Sequence, residues 1–478
     1  MSPHSEDARQ WVHIGSGLFA LLLRLLTWWH AALIALAALA FNVLVLPRIG
    51  GRRLYRPADE ARGFPLGIVL YPIVVCLLIL TFPSRLDIVA AAWAVLAFGD
   101  GAATLAGRRA TYHAQLAQHA EKSHAAGSGS SAWVRGRRDP AARAFLGRPL
   151  PWNREKTVAG TIAFVMCGGA AAVALALWTR PAVTPPPSIR FAILAPLAAA
   201  AAAALVETIP VRLDDNISVP VTAAAALAMA SLISADAFAA SRDAVVSHLP
   251  WALLVNVVVA WLGYRAGTVS LSGTIGGAIV GIVIYAAGGG RAWLLLFLTF
   301  FIAALASRIG LKRKVLLGIA EDRAGRRGAG NAFANCGVAA IAAVAAIATP
   351  YRVESWLAFV AALTAGGSDT VASEIGKAWG RSTFLITTLG RVRAGTPGAM
   401  SLEGTAAGIV AALALAAIAV ELRHIASSMI LAVVVAATIG ALIESALGAT
   451  LEPPGILNND MLNFINTAIA AAVAIAIV

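Results

Sequence analysis

Apolar residues in this chain gather into runs of about 17 to 22 residues, each long enough to cross a hydrocarbon core of ~30 Å as a helix. About fifteen such runs follow one another, at 11–27, 28–47, 64–82, 86–106, 157–178, 190–206, 218–236, 249–267, 271–287, 291–309, 332–349, 353–367, 403–421, 425–443 and 461–478. In hydrocarbon every backbone N–H and C=O needs an internal partner, which leaves helices or closed barrels, and runs of this length select helices. The pattern therefore predicts an all-α fold, a polytopic transmembrane helical bundle.

Composition agrees: 59% of residues are hydrophobic and 13% charged, far from a soluble domain. The first run is preceded by Glu6, Asp7 and Arg9 rather than a basic segment, so it is expected to be retained rather than cleaved as a signal peptide. Cys76, Cys167 and Cys336 lie inside apolar runs at unrelated spacing, which supports neither a disulfide framework nor a zinc site.

A net charge of +13 raises the question of nucleic acid, but the positions of the charges answer it differently. With the N-terminus and the segments after alternate runs on one side, most of the 37 Lys and Arg residues share that side, in clusters at 48–62, 108–156, 308–327 and 377–393. The positive-inside rule makes that face cytoplasmic, with the N-terminus inside and the C-terminus outside, as in a bacterial inner membrane; no nucleic-acid partner is expected. Residues 107–156 read as a flexible basic loop with a Gly/Ser stretch at 126–131. Its His113, His119 and His124 do not share a helix face and are not read as a metal site.

The chain also repeats itself. Asp100, Ala103, Gly107 and Arg108 recur as Asp369, Ala372, Gly376 and Lys377. Gly160-Thr161 recurs as Gly404-Thr405, Glu207 as Glu444, and Asp214-Asp215-Asn216 as Asn458-Asn459-Asp460, in the same order. Two diverged copies are expected, a domain at 1–240 and another at 241–478, as parallel repeats with all motifs on the cytoplasmic side.

Ten acids, Asp100, Glu155, Glu207, Asp214, Asp215, Asp369, Glu374, Glu403, Glu444 and Asp460, fall at or just inside the predicted membrane edge. An ionised group deep in hydrocarbon costs on the order of 2.5–3.5 kcal/mol, so such residues usually line polar cavities. Beside Lys156, Arg108, Lys377, Arg326 and Arg327 they form mixed sites in which carboxylates can hold Mg²⁺ and cations can hold phosphate oxygens. Blander readings stand beside this one. Asp214-Asp215-Asn216 is also an ordinary solvated turn, Lys312, Arg313 and Lys314 read as topology anchors, and His13 is equally an interfacial residue.

The first half resembles the phytol kinase and dolichol kinase group over roughly 9–235. The motifs are Arg9-Gln-Trp-Val-His13, Gly99-Asp100-Gly101 with Gly107-Arg108-Arg109, Leu150-Pro-Trp-Asn153-Arg-Glu-Lys156 with Gly160-Thr161, and Glu207-Thr-Ile-Pro210 with Asp214-Asp215-Asn216. The second half resembles the phytyl-phosphate kinase family of plant chloroplasts and its uncharacterised bacterial relatives over about 249–478. There the motifs are Arg327-Gly328 with Asn331, Ser368-Asp369-Thr370 with Glu374 and Gly376-Lys377, Thr387-Thr388, Glu403-Gly404-Thr405, Glu444-Ser445, and Asn458-Asn459-Asp460.

These resemblances imply a fusion of two kinases acting in sequence, prenol to prenyl phosphate and then to prenyl diphosphate, with CTP or another nucleoside triphosphate and Mg²⁺. In the first half Asp100 or Asp215 is the expected base; Glu207, Asp214 and Asp100 are the expected metal ligands. Lys156 and Arg108, with Arg109, Asn153, Gly160, Thr161 and Asn216, are expected around the nucleotide. In the second half Asp369, Glu444 and Asp460 are the expected metal ligands and Lys377, Arg326 and Arg327 the phosphate partners. Glu374, Thr387, Thr388, Glu403, Gly404, Thr405 and Asn459 complete that nucleotide set. Two other functions fit the same residues: a cytidylyltransferase acting on a lipid phosphate, and a transporter or flippase built from parallel repeats.

Overall fold

The computed structural model describes residues 3–49, 65–125, 145–316, 318–319 and 327–478. Among them are ten helical stretches long and apolar enough to cross a membrane, and the protein is an all-α integral membrane bundle apart from one two-stranded hairpin. Large apolar side chains on helix exteriors, such as Trp251, Leu254, Val257, Val258 and Trp261, are exposed, as expected where the neighbour is lipid.

The chain divides into two compact units, Met1–Ser231 and Leu232–Val478. The first runs α1 (Pro3–Ser16), a 3₁₀ segment (Gly17–Arg24), α2 (Trp28–Ala40), α3 (Leu66–Thr81), α4 (Leu86–Ala94), α5 (Gly101–Ala125), α6 (Val158–Ala163), α7 (Gly169–Thr179), α8 (Ile189–Glu207) and α9 (Asp215–Ser231). π-helical turns, Val95–Asp100 and Phe164–Gly168, join α4 to α5 and α6 to α7. The second runs α10 (Ala235–Arg265), α11 (Leu271–Arg308), α12 (Leu311–Leu316), α13 (Ala329–Ala348), α14 (Arg352–Trp379), the hairpin β1 (Thr383–Leu385) and β2 (Ala399–Ser401), α15 (Leu402–Glu421), α16 (Ile430–Leu451) and α17 (Asn459–Ile477). The hairpin is antiparallel, with Thr383 opposite Ser401.

Ten such stretches among the described residues do not confirm the count of about fifteen runs. The runs at 271–287 and 291–309 are the two helical halves of the stretch labelled α11, separated by a break at Gly289, whose φ of 67° and ψ of −166° are non-helical and which only glycine adopts easily. The run at 249–267 belongs to a helix that begins fourteen residues earlier, at Ala235, with Ser234 accepting the Ala237 N–H as its cap. The loop expected from 107 is helical to Ala125, since 107–125 holds Ala, Arg, Gln, Glu and Lys with no proline and no glycine after Gly107 itself. Residues 126–144 and the side chains of His113, His119 and His124 lie outside the described residues.

Small residues bring the site helices together, and the two units use the same contacts. Asp100 closes one π turn, and Ala103 and Gly107 continue its face along α5. A β-carbon on Gly160, at the start of α6, would meet Ala103 O at 3.1 Å; one on Gly107 would meet Thr157 Oγ at 3.0 Å. Thr157 caps α6 by accepting the Gly160 N–H at 3.1 Å. In the second unit a β-carbon on Gly404 would press on Ala372 O, and one on Gly376 would meet Ser401 Oγ at 2.9 Å. Ser401 caps α15 by accepting the Gly404 N–H, again at 3.1 Å. The offsets that recur in the sequence are thus one packing unit: a helix face of Asp, Ala and Gly against the capped glycine that opens the next helix.

Gly404→Ala is expected to lower stability by about 1–3 kcal/mol through overpacking against a backbone carbonyl. Gly277→Ala, whose β-carbon would meet nothing within 4 Å, is expected to be neutral or stabilising. Thermal unfolding in detergent reads both; equal effects would contradict the packing described.

Candidate functional site

In the first unit the capped junction places the end of one helix opposite the ends of two others. Asp100 ends the π turn before α5, Glu207 is the last residue of α8, and Asp215 is the first of α9. One carboxylate oxygen from each lies within 4.8 Å of the others. Lys156, just before the α6 cap, donates to Glu207 Oε1 and lies 3.3 Å from Asp215 Oδ2. Burial pulls the Lys156 ammonium down, but Asp215 and Glu207 more than offset this and hold its pKa above the ordinary lysine value, so it remains charged at neutral pH.

The loop that delivers Lys156 is pinned at both ends. Leu150 N donates to Lys156 O at 2.9 Å, while Asn153 Nδ2 donates to Thr208 O at 3.1 Å and its Oδ1 accepts from Glu155 N. Asn153 therefore fastens the loop to the α8–α9 turn. Asp214 also differs from expectation: its Oδ1 accepts from Asn216 N at 2.9 Å and Asn216 Nδ2 at 2.7 Å, closing the turn before α9, and Asp215 takes the place in the carboxylate cluster. Arg108 and Arg109 are exposed on α5, and Thr161 Oγ returns to Thr157 O.

His13 joins this site although sequence left it even between site and interface. Its Nε2 donates to Leu96 O at 3.3 Å and stands 3.6 Å from Asp100 Oδ2. Its ring packs edge-on to Tyr71, whose hydroxyl oxygen accepts from Ser16 and Trp93.

In the second unit Asp369, Lys377, Glu444 and Asn459 line one cavity of about 270 Å³, with Gly376, Gly404, Thr405 and Glu452 also in its wall. Glu444 is only 9% exposed, and its Oε2 has no hydrogen-bond partner among the described residues. Asn458 caps α17 by accepting the Met461 N–H, so Asn459 turns into the cavity. Asp460 is not in its wall: one position further round the helix, its carboxylate lies against Gly330 at the start of α13. The register thus pairs Asp215 with Asn459, a carboxylate in one unit with an amide in the other.

The remaining candidates fall elsewhere. Thr387 and Thr388 are exposed in the turn after β1, and Glu403 Oε1 accepts the Arg381 N–H. Glu374 is buried in an ion pair with Lys314 and lies 3.5 Å from Lys377. Lys314, read from sequence as a membrane-edge anchor, is 2% exposed. Arg327 Nη2 donates to Ser307 Oγ, and Arg326 lies outside the described residues.

Both donor sets are oxygen-only, as a hard divalent cation requires. Asp100, Glu207 and Asp215 are close enough to share one ion, and buried Glu444 carries an oxygen lacking a described partner beside Asp369 and the Asn459 amide. With Mn²⁺ as a spin-detectable stand-in, Asp100→Asn and Glu207→Gln are each expected to weaken binding roughly tenfold or more, and Asp214→Asn to leave it nearly unchanged. Equal losses at positions 207 and 214 would contradict the assignment.

The chain is 44% identical over 202 residues to an uncharacterized membrane protein of Synechocystis sp., covering 42% of this chain and 78% of that protein. It is 37% identical over 213 residues to Protein VTE6, chloroplastic, of Arabidopsis thaliana, covering 43% of this chain and 64% of that protein. An uncharacterized membrane protein of Methanocaldococcus jannaschii is 30% identical over 228 residues, 47% of this chain and 92% of that protein. No solved structure matches. The model of the integral membrane protein family DUF92 matches residues 254–471, which include Asp369, Lys377, Glu444 and Asn459, and the chain belongs to that family.

Proposed function

We propose that this protein is a membrane-embedded bifunctional isoprenoid kinase, converting a prenol to its monophosphate in the first unit and the monophosphate to the diphosphate in the second. The observation that carries the reading is the repeated packing unit in which Asp215 of one copy is replaced by Asn459 in the other. The family resemblances of both halves, and the similarity of part of the chain to a chloroplastic plant protein, support the same assignment. CTP or another nucleoside triphosphate is the donor in this reading, and the motif face is cytoplasmic.

The two steps demand different groups. An alcohol oxygen must lose its proton as it attacks the γ-phosphorus, whereas a phosphate monoester oxygen is already anionic at neutral pH. The first site therefore needs a base at the attacking oxygen, and Asp215, whose counterpart in the second unit is the amide Asn459, supplies it. Its carboxylate takes the hydroxyl proton, the prenol oxygen bonds to the γ-phosphorus, and the bond to the β–γ bridging oxygen breaks to release the nucleoside diphosphate. Lys156 holds the carboxylates in place and offsets the negative charge of the incoming phosphates.

In the second site an oxygen of the prenyl phosphate makes the same displacement without a base, and Lys377 lies in the cavity wall to draw two phosphorylated substrates together. Asp100 and Glu207 in one unit, and Asp369 and Glu444 in the other, are the residues that would hold Mg²⁺. When bound, the ion screens charge on the β- and γ-phosphates.

Purified protein given γ-labelled CTP and geranylgeraniol should yield labelled mono- and diphosphate. Asp215→Asn is expected to slow the first step by about 10²–10⁴-fold while sparing added geranylgeranyl phosphate. Asp369→Asn should stall the product at the monophosphate. Loss of both steps in both variants would mean one shared site, and absence of label from the lipid with every prenol and triphosphate tried would overturn the reading.

A further inference from the structure

Asp100 sits on backbone that departs from the α-helix. It ends the π turn Val95–Asp100, and π turns inside helices occur frequently at functional sites. The start of the chain packs directly on that turn. A β-carbon on Gly101 would meet Ile14 Cγ1 at 2.5 Å, and one on Gly17 would meet Ala97 Cβ at 2.5 Å, so α1 and the 3₁₀ segment after it touch the turn region at two points.

The polar side chain that α1 brings to the turn is His13. Its Nε2 lies 3.3 Å from Leu96 O and 3.6 Å from Asp100 Oδ2. Both neighbours are hydrogen-bond acceptors, so the tautomer that fits carries its hydrogen on Nε2 and shares it between them. The ring is held in turn by Tyr71, which packs edge-on at 5.1 Å and whose hydroxyl accepts from Trp93 Nε1 at 2.6 Å. Ser16 Oγ donates to His13 O at 2.6 Å and stands 3.0 Å from the same hydroxyl.

Among the three clustered carboxylates, Lys156 pairs with Glu207 and Asp215, whereas Asp100 has His13 beside it. Like charges within 4.8 Å of one another push apart, so Asp100 needs a restraint of its own. The side chains of His13 and Asp100 are only 16% and 19% exposed, and in such poorly solvated surroundings one N–H weighs more than it would in water. The motifs that recur between the two halves include no counterpart of His13.

We propose that His13 is a positioning residue of the first site: its Nε2–H, shared between Leu96 O and Asp100 Oδ2, fixes the π turn and aims the Asp100 carboxylate at the ion it would hold with Glu207. Hydrogen bonds of this kind behind a metal-binding group are worth roughly 10–100-fold in metal affinity. The assignment rests on the reading of Asp100 as a metal ligand, and not on which reaction follows.

The test uses the full chain in detergent, in a background carrying Asp369→Asn and Glu444→Gln so that Mn²⁺ reports on the first site. Binding is read by electron paramagnetic resonance and folding by melting temperature. Two amides separate donor position from polarity, because the Gln amide nitrogen reaches the place of Nε2 and the shorter Asn amide only that of Nδ1. His13→Asn should weaken Mn²⁺ by roughly tenfold or more and His13→Gln by less than about threefold, at similar melting temperatures. Ser16→Ala, which loosens α1 without removing the Nε2 donor, should leave the affinity unchanged. With the second site intact, His13→Asn should raise the Mg²⁺ concentration for half-maximal geranylgeraniol phosphorylation while leaving the rate at saturating Mg²⁺ within about threefold and sparing the step on geranylgeranyl phosphate. Equal Mn²⁺ affinity in the Asn and Gln variants, whether retained or lost, would overturn the proposal, as would an equal loss in Ser16→Ala. The expected Mn²⁺ pattern without phosphoryl transfer in the parent protein would support the positioning role and defeat only the kinase reading.

Discussion

A carboxylate at the edge of a hydrocarbon slab is tolerable only when a cation or a polar cavity compensates for lost water, and the first unit is organised around that requirement. Lys156 bridges Glu207 and Asp215, two groups at the ends of different helices, and its loop is fastened by Asn153 to the turn between those helices. Remove the ammonium and three negative oxygens within 4.8 Å of one another repel in a poorly screened environment. Lys314 and Glu374 meet the same requirement deeper in the second unit, where neither is more than 3% exposed.

Close approach of backbones is what lets such groups converge. In hydrocarbon there is no hydrophobic drive between helices, so association depends on packing of small residues and on polar contacts. The pairs Gly107–Gly160 and Gly376–Gly404 perform this in the two units, each beside a Thr or Ser cap. With the scaffold repeated, chemistry can diverge by single side chains. Asp215 and Asn459 open equivalent helices, and the exchange of a carboxylate for an amide removes the proton acceptor at that one position.

Much of this was legible in the chain. Run length predicted the helical membrane bundle, and the recurrence of Asp, Ala and Gly marked the helix face that packs, because i, i+3 and i+7 share a side. What escaped depended on tertiary contact. Lys314 looks like any membrane-edge cation until the α12 turn folds it onto Glu374, and His13 is uninformative until the π turn brings Leu96 and Asp100 to it. Asp214 and Asp215 cannot be told apart from composition; the closing of a turn by Asp214 decides which carboxylate faces the site. The same helix-start geometry selects Asn459 over Asp460. Runs 271–287 and 291–309 were legible as two helices, because three glycines divide them and the helical conformation breaks at Gly289.

In the kinase proposed here, two sites transfer two γ-phosphoryl groups in succession to one lipid. This succession is tested most directly by incubating the protein with geranylgeraniol and CTP labelled with distinguishable isotopes at the α- and γ-phosphates. The diphosphate product should carry two γ-derived phosphates and no α label, all of which should remain in CDP. Appearance of α label in the lipid, with release of pyrophosphate, would contradict it and identify a cytidylyltransferase instead.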